Sequence, residues 1–198
     1  PLWYKAGKLF GKVAPELEVL FKYKAIEKSV KILPYDIRIP KRRRYAINFY
    51  KSERKWAKKV NEAFKNGEIP EELLEKHFCY AAYTQWLFDL SSKGYRSLNQ
   101  APVIDSTRKM IQLREEHLEQ LTSLVPRLQP FKKWYEDKRD FWKIRNEVMA
   151  DYIVKYIEIT KAKKVVVFTG MLHKYYLLDL LNAHKGKDQY EIIEYFSP

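Results

Sequence analysis

The run "VVVFTGMLH", residues 165–173, constrains the fold more than any other stretch of this 198-residue chain. Four consecutive apolar residues, three of them β-branched, have the composition of a strand covered on both faces, as in a parallel sheet. Gly170 breaks the run, and "HKYYLLDLLNAH" continues with the spacing of a helix. The alternating stretch "YEIIEYF", residues 190–196, reads as a further strand. Strand, helix and strand in that order make one β-α-β unit over residues 161–198. The expected class is therefore α/β, with a mainly parallel sheet.

The earlier part of the chain supplies the other end of that sheet and a large helical insertion. Residues 15–27 have a helical pattern, with Pro15 suited to a first turn, and residues 30–33 read as a short strand stopped by Pro34. Asp36 falls just beyond that strand end. Residues 43–160 form the insertion. Its first helix, "YAINFYKSERKWAKKVNEAFKNG", puts Tyr45, Phe49, Trp56, Val60 and Phe64 on one stripe and closes at Gly67. A second starts at Pro70, and the loop "SSKGYRSLNQAPV" ends it. A third begins at a cap on Asp105 or Ser106, and a fourth covers residues 131–160. Residues 1–198 make a single domain, expected to be truncated at its amino terminus.

Composition limits the setting. No apolar run approaches the roughly 18 residues that a membrane span needs, so the chain as given reads as soluble, with a cytoplasmic setting favoured. Its one cysteine, Cys79, excludes an internal disulfide framework and a cysteine-rich metal site, and reads as a small buried hydrophobe. The formal charge of +13 is concentrated: residues 1–68 hold 18 Lys and Arg against 7 Asp and Glu. The stretch "KRRRYAINFYKSERKWAKK" interleaves cations with aromatics, as nucleic-acid binders do. Because the aromatics share one helical stripe, a solvated basic face is the favoured reading, with nucleic acid or an acidic membrane surface as the lesser one.

Three positions carry candidate chemistry. His173 falls on the first turn of a helix after a strand and a glycine, where open α/β sheets collect ligands. The positive helix end there disfavours imidazolium, leaving a neutral ring able to ligate a metal or accept a proton. Glycine at position 170 would let backbone approach a ligand closely. Taken alone, this four-residue pattern favours a structural histidine. Arg145 extends the apolar stripe of Met149, Tyr152 and Tyr156 backwards by one helical step. A guanidinium so placed needs a carboxylate or anion as partner, unless it snorkels to solvent past Trp142. Asp36 is a carboxylate beyond a strand end, a position that turns also favour for local hydrogen bonding. His77 and His117 lie within helices beside acidic residues, and His184 is near a helix end.

The order of these residues resembles the carboxy-terminal part of the TraB/GumN and Tiki group, with erythromycin esterase and ChaN proteins as more distant relatives. That group shows an R-N-x-x-M-A-like helix, an apolar strand, G-x-x-H, a helix with spaced leucines and a last strand. Here Arg145, Asn146, Met149, Ala150, Gly170, His173, Leu177, Leu180 and Leu181 fill those places, over roughly residues 140–196. "LFKYKAIEKSVKILPYDI" is similar to the group's helix-to-strand region ending in Asp, which would match Asp36. The resemblance implies a sheet of two related halves and metal-dependent hydrolysis of a peptide or ester bond. It puts Gly170 and Asn146 at the ligand, His173, Arg145 and Asp36 at the chemistry, and a divalent metal on His173 and Asp36.

The sequence departs from the group at one place: none of His77, His117 and His184 has a glycine three residues before it, so the first G-x-x-H motif is missing. Either it lies upstream of Pro1 or this is a degenerate member. A catalytic metal commonly needs about three protein ligands and an open position. The expected partner is thus a small-molecule or peptide substrate. The alternatives are a non-enzymatic protein of the same fold that binds haem or another ligand, and a helical nucleic-acid binder.

Overall fold

The computed structural model describes residues 15–37, 39–184 and 190–193 of the chain. Seven α-helices run through them: α1 (Pro15–Ile26), α2 (Ile39–Lys65), α3 (Glu71–Ser92), the single turn α4 (Tyr95–Leu98), α5 (Ala101–Leu124), α6 (Lys132–Thr160) and α7 (Met171–His184). A 3-10 segment, Pro126–Phe131, joins α5 to α6. The described residues contain no strand, so the expected α/β class with a parallel sheet is wrong for them, and so is the β-α-β ending.

The reason lies in what a strand requires. Residues 164–170 form neither helix nor strand; their β-branched side chains favour extended backbone, but a strand exists only when a neighbour completes its backbone ladder. Residues 30–37 and 190–193, the other expected strands, are irregular and form no ladder with it. Single side-chain hydroxyls bond the carbonyls instead: Tyr35 donates to Phe168, and Tyr156 donates to Pro34 at 2.9 Å. Nor is the apolar run covered, since Val166 is 72 % exposed. The end of the last expected strand, residues 194–196, lies outside the described residues.

The helices themselves follow local rules. Gly67 closes α2 with a positive φ of 66°, a conformation glycine adopts without steric cost. Helix α3 starts after Pro70, with Glu71 and Glu72 against the positive end of its dipole. Helix α5 begins at Ala101, four residues before the expected cap. Gln100 is extended and Pro102 presets the first turn, so Asp105 lies inside the helix and pairs with Arg108 at 2.6 Å. The break after α3 contains the turn α4.

Three apolar clusters hold these elements. Trp56 and Ala63 of α2 meet Leu73 of α3, Leu121 of α5, Val125 and Leu128. Leu87 of α3, Met110 and Ile111 of α5 and Tyr175 of α7 make the second. Met149, Ala150 and Ile153 of α6 pack on Leu177 and Leu181 of α7, with Tyr35 and Ile192 at the edge. The stripe expected on α2 is displaced by about one residue: Ala63 is fully buried while Phe64 is half exposed. Tyr45's side chain lies outside the described set. Cys79, expected inside, is exposed on α3.

Candidate functional site

Helix α6 organises the candidate site through three residues within one turn, Trp142, Arg145 and Asn146. Asn146 is fully buried, and its amide nitrogen donates to the Trp142 carbonyl one turn back at 2.7 Å. That bond decides which way the amide faces. Its oxygen is left to accept, and His173 Nδ1 lies 2.8 Å from it. Nδ1 must therefore carry a proton, and in the neutral ring the lone pair is then on Nε2. The indole of Trp142 stacks on the same ring, with centroids 4.1 Å apart and planes 19° from parallel. Its own N–H lies beside the Tyr175 hydroxyl without reaching hydrogen-bond geometry.

His173 is placed by the first turn of α7, after the irregular residues 164–170. Its backbone N–H bonds the Gly170 carbonyl at 2.9 Å, the first closure of that helix. The ring is 9 % exposed, so it lies at the edge of the interior rather than within it. Gly170 does not have a positive φ, and a Cβ built on it would meet only His173 Cδ2, at 3.8 Å. That is ordinary van der Waals contact, so nothing steric in the described residues demands glycine here.

Asp36 and Arg145 meet although 109 positions separate them. Arg145 Nε donates to Asp36 Oδ1 at 2.9 Å and Nη2 to Oδ2 at 2.7 Å, a two-pronged pairing of planar groups. Oδ1 also accepts the Ile37 amide at 2.8 Å. Together with the Tyr156 and Tyr35 bonds already described, this pair pins residues 34–37 across α6 and against the loop before α7. The arginine has the carboxylate partner that its inward position requires.

The structure thus brings Gly170, His173 and Asn146 into one group and Asp36 and Arg145 into another, joined through adjacent residues of α6. Each of the five has a side-chain or backbone contact within these groups. Among the described residues, however, no group of three or more His, Cys, Asp or Glu side chains converges as metal ligands would. Both oxygens of Asp36 accept from Arg145. The described residues do not by themselves fit a metal.

Sequence reasoning passed over two residues. Trp142 was read as a neighbour past which Arg145 could snorkel, yet it supplies the face on which His173 lies. His117 is read from sequence only as a helical residue beside acidic ones, yet it is 2 % exposed. Its signal was available, since Val103, Met110 and His117 recur every seven residues on one face of α5, with Leu121 one turn further. Neither ring nitrogen has a hydrogen-bond partner, and the His77 ring of α3 stands 5.7 Å away. Burial, then the charges of His77 and Lys76, push its pKa down from 6.5 to about 4. No other histidine approaches the site: His184 lies 3.7 Å from Asp151 at the far end of α7.

No described helix is long and apolar enough to cross a membrane. Comparison with known proteins gave no matching family model, no matching curated protein and no matching solved structure.

Proposed function

We propose that this chain hydrolyses a peptide or ester bond with His173 as the group that takes a proton from the attacking water. The observation that supports this most is the fixed tautomer. Asn146 holds the proton on Nδ1, the Trp142 stack holds the ring plane, and the basic lone pair is set on Nε2. A base prepared in this way needs no reorientation before proton transfer. Arg145, with Asp36 across its Nε and Nη2 edge, turns its Nη1 donors elsewhere and is suited to hold a substrate carboxylate or the developing oxyanion. Gly170 borders Cδ2, next to Nε2 where a ligand would stand, and Asn146 holds the ring from Nδ1 on the opposite side.

The experiment is a turnover assay on the purified chain with chromogenic esters, a lactone and a fluorogenic peptide set, with chelator and with added zinc, manganese or magnesium. We expect turnover that falls by about 100-fold or more in His173→Asn, the usual scale for loss of a positioned base. Arg145→Met should lower kcat/KM while leaving the pH profile in place. Unchanged turnover in His173→Asn, or none with any substrate and metal, overturns the proposal. Activity that survives chelation assigns the chemistry to the imidazole alone, and activity restored only by one metal makes that metal part of it.

A further inference from the structure

Helix α2 has a second face, and nothing in the site above uses it. Lys51, Lys58 and Lys65 recur at seven-residue intervals, and Arg54 and Lys55 fill the space between the first two. All five side chains are exposed. At about 1.5 Å of rise per residue they form a cationic line roughly 21 Å long on one side of a rigid helix. The opposite side is committed to the core: Trp56 and Ala63 are buried, Phe49 stacks on Trp134 at 5.8 Å, and Trp56 meets Phe131 edge-on at 5.6 Å.

The acids of the same helix offset this line only at Glu62, which stands one turn past Lys58 and feels its charge. Glu53 turns to Lys138 of α6 at 3.5 Å. Glu62 is held by Lys59 at 2.6 Å and Arg127 at 3.2 Å. Among the described residues none of the five cations has an ion-pair partner. Five unpaired cations on a straight, solvated line are costly to keep close together, and a polyanion relieves that repulsion.

We propose that this face of α2 binds the phosphate backbone of a nucleic-acid duplex. A duplex fits better than an acidic membrane, because an interfacial helix must insert its apolar face and the apolar face of α2 is already packed. It fits better than a single strand, because the exposed rings of α2, Tyr50 and Phe64, border the line 14 positions apart, about 21 Å, too far apart to stack successive bases. The contacts are to phosphates, so binding is independent of base sequence and strongly dependent on salt. It is also independent of the hydrolytic reading, since no residue of the His173 site takes part.

The test is fluorescence anisotropy of a labelled DNA duplex and a matching RNA duplex with the full chain over a salt series. Neutralising five phosphates predicts a log-log slope near −4.5, so affinity should fall by about 500-fold between 50 and 200 mM salt. The triple variant K51E/K55E/K58E should lose about 100-fold or more, and K51R/K55R/K58R should retain binding. The reversal K155E/K163E/K164E changes net charge by the same amount on other exposed lysines and should cost little. Circular dichroism of each variant separates lost binding from lost fold. Absence of duplex binding at low salt, an equal loss in the second reversal, or binding to phosphatidylserine vesicles without duplex binding each overturns the proposal.

Discussion

Two histidines, His117 on α5 and His173 on α7, lie below the surface, and their surroundings differ in kind. His173 gives its Nδ1 proton to a fully buried amide and lays its ring on an indole. His117 has apolar neighbours, a second imidazole and no hydrogen bond at either nitrogen. Burying a polar group without a partner costs roughly 1–3 kcal/mol, whereas a satisfied one is nearly neutral and adds specificity of arrangement. The pair therefore separates a histidine that is held in one defined state from one that is merely enclosed.

The largest effect should come from pH. Folding depresses the His117 pKa from 6.5 to about 4, so between those values the unfolded chain holds a proton that the folded chain refuses. Stability attributable to this residue is complete above pH 6.5 and lost as pH falls towards 4, by up to about 3 kcal/mol. In urea unfolding across that window, His117→Leu should flatten the curve relative to the parent chain and leave stability at pH 8 unchanged or raised by about 1 kcal/mol. The same substitution at His173 should destabilise at every pH, because it leaves the Asn146 oxygen without its donor. Equal effects of the two substitutions would remove the distinction.

A smaller loss, about 2–3 kcal/mol, is expected for Asn146→Ala, which strips partners from both the His173 Nδ1–H and the Trp142 carbonyl. Asn146→Asp sharpens the comparison further: a buried carboxylate beside the ring should raise the His173 pKa, visible in its imidazole proton shifts. The smallest effect is Gly170→Ala. The added methyl meets one atom at 3.8 Å, so the change in stability should be within about 0.5 kcal/mol. A large loss of turnover in that fold-neutral variant would mean that the glycine makes room for substrate rather than for the chain.

The helices were legible because each depends on residues within reach of its own turns. Pro15, Gly67 and Pro70 mark ends, and the stripe through Trp56 and Val60 marks the buried face of α2 to within about one residue. Cys79 and Phe64 were misplaced, since a helical pattern gives angular position but not what stands opposite. "VVVF" shows the same limit more sharply. Its β-branched residues favour an extended backbone locally, and residues 164–170 do stay out of a helix. Whether that backbone becomes a strand depends on a second segment, and no described segment pairs with it.

By itself, then, the sequence marked the long helical segments and the asymmetry of charge, which follow from short-range pattern, and it offered Asp36, Arg145, Gly170 and His173 as candidates from local position, with Asn146 added only by the family resemblance. Tertiary structure decided the pairings: that Arg145 reaches a carboxylate 109 positions away, that Asn146 orients its amide to fix the His173 tautomer, and that His117 is enclosed without a partner. The reason is physical. Propensity and periodicity act over one or two turns of chain, while the energy of a buried polar atom is set by which atom stands within about 3 Å of it, wherever that atom lies in the sequence.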